Sequence, residues 1–162
     1  MQKGIKKIAA MIILQHQDKY LLLKRAFPPN AGMYLPVGGK LEPFEDPKSA
    51  VIRECHEETG ILIEHPVFCG ILTESSPDKY NWISYIYKAD IAYQDAPISE
   101  EGLLEWIPTS QLDQLPTPPT DLSIYQYVQK KQHFAINAIY NKDLILKEMH
   151  EELSGEILYF NP

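Results

Sequence analysis

Cysteine is scarce in this chain: Cys55 and Cys69 are the two in 162 residues. No disulfide framework can hold the fold, so stability must come from a packed core, and a reducing, cytoplasmic setting is expected. Long apolar runs are missing as well, and nothing approaches the ~20 residues of a membrane-spanning helix. The opening, with Lys3, Lys6 and Lys7 before Ile8 to Leu14, imitates a signal peptide. Its apolar run is minimal, ends in Gln15-His16 and lacks a small-residue cleavage pattern, so a buried first strand is expected instead. Positive charge is not in excess: 15 Lys and Arg against 22 Asp and Glu give a net charge of −7. That balance argues against a nucleic-acid footprint, which needs a basic face, but leaves a small phosphorylated substrate bridged by metal allowed. His16, His56, His65, His133 and His150 show no metal-ligand spacing. Internal repeats, low-complexity segments and linkers are absent, so residues 1–162 are expected to form a single domain.

What the chain has is one stretch of concentrated acid, from Gly39 to Ile61. It is entered through the pair Gly38-Gly39 and closes on Gly60. Asp46 followed by Pro47 is a helix start, because Asp caps free N–H groups while Pro has none to lose and its φ is already helical. Gly60 is a stop of the left-handed kind. At 3.6 residues per turn Glu54, Glu57 and Glu58 fall on one stripe, and Val51, Ile52 and Cys55 on an adjoining apolar one. Three carboxylates at i, i+3, i+4 repel unless a cation sits among them. Hard divalent cations are commonly shared between carboxylates and substrate phosphates, so the helix reads as a metal platform.

The spacing of this stretch resembles the Nudix box, G-x5-E-x7-R-E-U-x-E-E-x-G-U with U apolar. Gly39, Glu45, Arg53, Glu54, Glu57, Glu58 and Gly60 fill the fixed positions and Ile61 the last apolar one; Cys55 stands where the family usually has an aliphatic residue. At roughly 7% per position, seven matches arise by chance with a probability on the order of 10⁻⁸, which removes the reading of a merely solvated acidic face. The resemblance implies an α/β (α+β) fold, a Nudix-type α/β/α sandwich with a central mixed sheet. It implies Glu54, Glu57 and Glu58 as metal ligands with the carbonyl of Gly39, Glu45 as a supporting ligand, and Mg²⁺ or Mn²⁺ as cofactor. Arg53 is then expected to orient a box glutamate. The general base is either a box glutamate or a loop glutamate, here Glu100 or Glu101.

The remaining pattern supplies strands and a second helix. Residues 5–15 and 19–25 read as a hairpin, 28–32 as a loop, 61–63 and 67–73 as one strand interrupted at Pro66, and 75–78 as a turn. Strands follow at 82–91 and 103–107, separated by an acidic loop over 94–102. A short helix begins at Pro108 to Ser110 and ends near Leu115, and a longer one is capped by Thr120 or Asp121 and carries Leu122, Ile124, Tyr125 and Val128 on its apolar side. Residues 134–140 and 144–147 form a last hairpin, and 151–162 are strand or tail. This order of elements implies a sandwich rather than a bundle or barrel.

Outside the box the signal thins. Lys24 and Arg25, at a strand end, are candidates for phosphate oxygens, and Tyr34 and Trp82 for stacking a base; a solvated strand end and core packing are the competing readings. Asp121 is either a helix N-cap or, by resemblance, the position from which purine-sanitising Nudix enzymes read an oxidised guanine edge. Leu35 departs from those enzymes, some of which carry a base-binding Asn there. The function expected is a metal-dependent pyrophosphohydrolase of a nucleoside triphosphate such as 8-oxo-dGTP. An ADP-ribose or sugar-nucleotide pyrophosphatase is the alternative, since Pro77 stands 16 residues beyond Ile61, near where ADP-ribose enzymes of the family carry a proline. A non-catalytic nucleotide-binding module is third, because such modules tend to lose box carboxylates and none is lost here. The partner expected is a small nucleoside diphosphate-linked molecule, with no membrane and no nucleic acid, and a homodimer left open.

Overall fold

The structure, a computed structural model, describes residues 5–78 and 80–162. In chain order the strands β1 (Lys7–His16), β2 (Lys19–Arg25), β3 (Tyr34–Leu35) and β4 (Val37–Lys40) precede helix α1 (Pro47–Thr59). Strands β5 (Val67–Ser75), β6 (Trp82–Asp90), β7 (Ile98–Ser99) and β8 (Gly102–Pro108) then lead through a 3-10 turn (Thr109–Gln114) into helix α2 (Pro119–Gln129). Strands β9 (Phe134–Tyr140), β10 (Leu146–Glu151) and β11 (Ile157–Phe160) complete the order. They join one mixed sheet, β11-β10-β9-β5-β6-β1-β2-β8-β7. The pairs β1/β6 and β5/β9 are parallel.

One edge of β1 is shared. Its last residues pair with β2, Leu14 opposite Leu21, and its first half pairs with β4, Ala9 opposite Lys40 and Ile12 opposite Val37. The fork between β2 and β4 brings the glycine pair to the middle of the sheet. Gly38 is needed there because a Cβ would lie 2.2 Å from the carbonyl oxygen of Ala10.

Strand side chains alternate between faces, and β1 shows both halves of the core. Ala10, Ile12 and Leu14 pack with Val51 and Cys55 of α1, whereas Ile13 packs with Ile124, Tyr125 and Val128 of α2. The sheet therefore lies between α1 and α2 as the α/β/α sandwich that the pattern implies. The Cys55 side chain is fully buried on α1, and the apolar neighbourhood that buries it accounts for the tolerance of cysteine at an aliphatic position.

Several boundaries differ from the expectations. Residues 61–63 are not a strand, although Ile61 and Ile63 are buried under α1, so β5 starts at Val67. β7 is a two-residue strand inside the expected acidic loop. The short helix after Pro108 is a 3-10 turn. Helix α2 begins at Pro119 with Pro118 at the N-cap position and no side-chain cap, so neither Thr120 nor Asp121 caps it. The preset φ of Pro119 starts the helix without a capping side chain. None of the described helices is long and apolar enough to cross a membrane.

Candidate active site

Helix α1 is built as its sequence dictates. Asp46 Oδ1 accepts the backbone N–H of Ser49 at 3.0 Å, Pro47 opens the first turn, and Gly60 closes it in the left-handed conformation, φ 73°, donating to the carbonyl of His56. Ala50, Val51, Cys55 and Thr59 face the sheet. Glu54 and Glu58 flank that stripe and are half-buried, while Glu57 is exposed, 57% for its side chain.

Arg53 organises three of the acids. Its Nε and Nη2 donate to Glu45 Oε1 and Oε2 at 2.8 and 2.9 Å, its Nη1 to Glu54 Oε1 at 2.7 Å and Glu57 Oε2 at 3.2 Å, and its Nη2 also to the carbonyl of Lys40 at 3.1 Å. Hydrogen bonds from Arg53 hold the Glu45 carboxyl below the ordinary carboxylate range, helped by the backbone of Glu42. Both Glu45 oxygens are thus engaged by the guanidinium, so Glu45 stands in this structure as the partner of Arg53.

Glu58 is the outlier. Its Oε2 is buried with no hydrogen-bond partner among the described residues. Burial and then the charge of Glu54 push its pKa up to about 7; Gly38 N–H and Arg25 oppose the shift and Glu101 adds to it. A buried carboxylate oxygen without a donor, beside a second carboxylate, is a costly arrangement that a cation would relieve. Gly39 adds to the fit, because a Cβ there would meet the Glu54 carboxylate at 2.4 Å, so only glycine leaves its backbone open to that group. Glu54, Glu58 and the Gly39 carbonyl therefore fit a hard divalent cation. Among the described residues no three His, Cys, Asp or Glu side chains are already gathered as a ligand cluster. Arg53 holds Glu54 and Glu57 in their present rotamers.

The structure separates the two loop glutamates. Glu100 and Glu101 form the turn between β7 and β8, and Gly102 lets that turn press on β2, where a Cβ would lie 2.0 Å from the Lys24 carbonyl oxygen. Ala26 N–H donates to the Glu101 carbonyl at 2.9 Å. Both are exposed at the turn, but it is the Glu101 charge, with that of Arg25, that acts on Glu58.

Lys24 and Tyr34 lie on the other face of β2. The Lys24 ammonium stands 5.6 Å from the Tyr34 ring centroid, and the buried Tyr34 donates its hydroxyl to Glu105. Tyr34 is part of the α2-side core, as the core-packing reading has it. Asp121 is buried in the first turn of α2, 8% exposed. Burial, and then the nearby Glu74, raise its pKa well above the ordinary range. Glu74 is the residue that sequence reasoning missed. It is buried on β5, accepts the Tyr140 hydroxyl at 2.8 Å, and has its own pKa raised by burial. Its signal was present: Glu74 shares the inward phase of Leu72, an acid where the strand alternation calls for an apolar side chain.

A half-buried acidic helix at the mouth of a glycine loop, organised by an arginine and set on a mixed sheet between two helices, defines a metal-assisted hydrolase of phosphoanhydrides. The chain matches the NUDIX domain family over residues 5–128. It is 36% identical over 125 residues to the uncharacterized Nudix hydrolase YvcI of Bacillus subtilis, covering 74% of this chain and 77% of that protein. The crystal structure of a MutT protein from Bacillus halodurans, 27% identical, superposes with a TM-score of 0.80 over 91% of this chain and 98% of that one. An ADP-ribose pyrophosphatase of Methanocaldococcus jannaschii is 37% identical over 67 residues, 41% of this chain and 38% of that protein. The chain belongs to the Nudix family and is a pyrophosphohydrolase acting on phosphoanhydride bonds. Enzymes of this family generally need a divalent metal.

Proposed function

We propose that residues 1–162 form one Nudix domain that hydrolyses a nucleoside triphosphate, of which 8-oxo-dGTP is the type, to a nucleoside monophosphate and pyrophosphate. Mg²⁺ or Mn²⁺ is the metal, held by Glu54, Glu58 and the Gly39 carbonyl, with Glu57 turning in from its exposed rotamer. When bound, the cation neutralises phosphoryl oxygens and lowers the pKa of a ligating water. Water adds to one phosphorus of the scissile diphosphate, and the bridging P–O bond breaks toward the other. Glu101, the loop glutamate within electrostatic reach of Glu58, is assigned as the base that takes the water's proton. Arg53 holds Glu54 and Glu57 in position, Glu45 fixes Arg53, and Arg25 meets phosphate oxygens on the α1 face.

The observation that carries the triphosphate reading is Asp121. The cap position belongs to Pro118, so the capping explanation of this aspartate falls away, and a buried carboxyl whose protonated form burial favours can offer a donor and an acceptor to a purine edge. The second reading, ADP-ribose hydrolysis, rests on Pro77 in the bend after β5 and on the resemblance to the Methanocaldococcus jannaschii protein.

The test is a panel of 8-oxo-dGTP, canonical triphosphates, ADP-ribose and dinucleoside polyphosphates with Mg²⁺, products identified by mass. The highest kcat/KM is expected on a triphosphate, with pyrophosphate released. Preference for ADP-ribose overturns the reading, and turnover of none would make the protein a nucleotide-binding module.

A further inference from the structure

Strand β5 carries Glu74 on the face of the sheet that packs against α2. Leu72, two residues earlier, belongs to the α2-side core, and register sets Glu74 opposite Ala138 of β9 and Trp82 of β6. Asp121 approaches from the first turn of α2. The Glu74 charge acts on Asp121, and both act on the Tyr80 hydroxyl of the β5–β6 connection, so the two acids share one neighbourhood.

They are held differently. Glu74 Oε1 accepts the Tyr140 hydroxyl at 2.8 Å, the Tyr80 hydroxyl bonds to the same carboxyl, and the Tyr80 and Tyr140 rings meet edge to face at 5.7 Å. Burial pushes the Glu74 pKa up, while these two bonds and the Lys6 charge pull it back. Lys6 does not form an ion pair with it: the Lys6 ammonium donates to the Glu74 backbone carbonyl at 2.7 Å, and among the described residues no cation is paired with the Glu74 carboxylate. Asp121, 8% exposed, has no donor on its carboxyl among the described residues.

Two buried acids acting on each other with no cation paired to either cost the fold, and an apolar side chain in the phase of Leu72 would not. A carboxylate has about four acceptor sites, and two tyrosine hydroxyls leave part of that capacity unused at Glu74. The tyrosines fix its orientation without neutralising it, which suits a group that receives donors from a ligand.

We propose that Glu74 is a specificity-determining residue of the α2-face site: its carboxylate accepts a ring N–H and the exocyclic amino group beside it. The substrate class is then a nucleotide whose base presents two adjacent N–H donors, as guanine does, with Asp121 meeting another polar group of the same base. The inference rests on the base-reading role of Asp121 and deepens it. Adenine offers an amino group beside a bare ring nitrogen, and hypoxanthine a ring N–H with no amino group. Each leaves a Glu74 acceptor without its donor, the loss by which a hydrogen-bonding site rejects a near-isostere.

The test compares the wild-type protein with Glu74→Gln and Tyr140→Phe, in the full chain. Calorimetric titration with GMP, IMP and AMP is run beside thermal melts without ligand. The wild type is expected to bind GMP about tenfold more tightly than IMP or AMP, on the scale of one charge-assisted hydrogen bond. Glu74→Gln keeps the shape but turns one acceptor into an amino group that opposes the guanine amine. It should bring GMP to within about twofold of IMP, and melt no lower than the wild type because it removes one charge from the acid pair. Tyr140→Phe, which frees the carboxylate on one side, should narrow the gap about twofold. Equal affinity of the wild type for GMP and IMP, or an undiminished gap in Glu74→Gln, would overturn the proposal. A lower melting temperature with the gap intact would likewise reduce Glu74 to a support for Tyr140. Hydrolysis of ADP-ribose alone would remove the triphosphate reading, whereas the titration with monophosphates involves no hydrolysis and decides the role of Glu74 by itself.

Discussion

Arg53 grips Glu45 through two parallel hydrogen bonds, 2.8 and 2.9 Å, while its remaining donors reach Glu54, Glu57 and the Lys40 carbonyl. Only a planar guanidinium can serve so many acceptors at once, and lysine offers a point charge on a flexible stem. Arg53→Lys is therefore expected to lower kcat roughly 10–100-fold, the usual penalty for losing a group that orients metal ligands. Steady-state kinetics over a metal titration checks this. Wild-type turnover at every metal concentration would reduce Arg53 to a surface cation.

Crowded carboxylates make a second prediction, in which activity and stability move apart. Glu54→Gln and Glu58→Gln should lose turnover by orders of magnitude, yet melt in chelator no lower than the wild type, because each removes charge from a repelling pair. Gly39→Ala should resemble them. Its Cβ would stand 2.4 Å from the Glu54 carboxylate, and the flexible end of that side chain must give way rather than the sheet. Thermal melts paired with activity assays test all three; a collapse of the melting temperature alongside activity would contradict the assignment.

For Asp121 the comparison between substrates carries the information. Asp121→Ala should depress kcat/KM on an oxidised purine triphosphate far more than on ADP-ribose, since a sugar-linked diphosphate has no need of that purine-edge contact. Asp121→Asn, which keeps one donor and one acceptor, should recover part of the loss. Equal losses on both substrates would mean that the residue only supports the first turn of α2.

Glu151 sets an acid limit on stability. This buried residue at the end of β10 accepts the N–H groups of Ala135, Leu153 and Ser154 and the Ser154 hydroxyl at 2.7–3.0 Å. Burial alone would raise its pKa, but these bonds outweigh it and pull the carboxyl down to about 2. With the folded pKa below the unfolded one, the stabilisation is complete above about pH 4.5 and is lost as pH falls toward 2. Glu151→Gln should cost about 2 kcal/mol at pH 7, or roughly 4–8 °C in melting temperature. That gap should close between pH 4.5 and 2, and a gap independent of pH would rule out the charge as its source.

Legibility followed the range of the interactions. Helix α1 could be read from Asp46, Pro47 and Gly60 because caps are local, and the box residues could be read because their spacing is local too. The partner of β5 could not: its parallel pairing with β9, Gly70 opposite Phe134, joins strands with β6, β7, β8 and α2 between them in the chain. Without that pairing the proximity of Glu74 to Tyr140 is invisible, and so is the acid beside Asp121. Asp121 misled for a related reason. An aspartate after Thr-Pro-Pro-Thr has the composition of a cap, and only the burial of α2 against the sheet distinguishes a cap from an inward-facing side chain. Glu100 and Glu101 were equivalent as letters, and the β7–β8 hairpin is what brings the second toward Glu58.

The alternation along β4 carries an evolutionary consequence. Its four residues send Gly39 to one side of the sheet and Lys40 to the other, while Val37 fixes the phase by pairing with Ile12. Deleting one residue from this segment would exchange the two sides, placing a lysine against the acidic helix and an empty position on the opposite face. This four-residue strand is under a parity constraint, because Gly38 and Gly39 must keep the sides on which a Cβ would meet the Ala10 carbonyl and the Glu54 carboxylate.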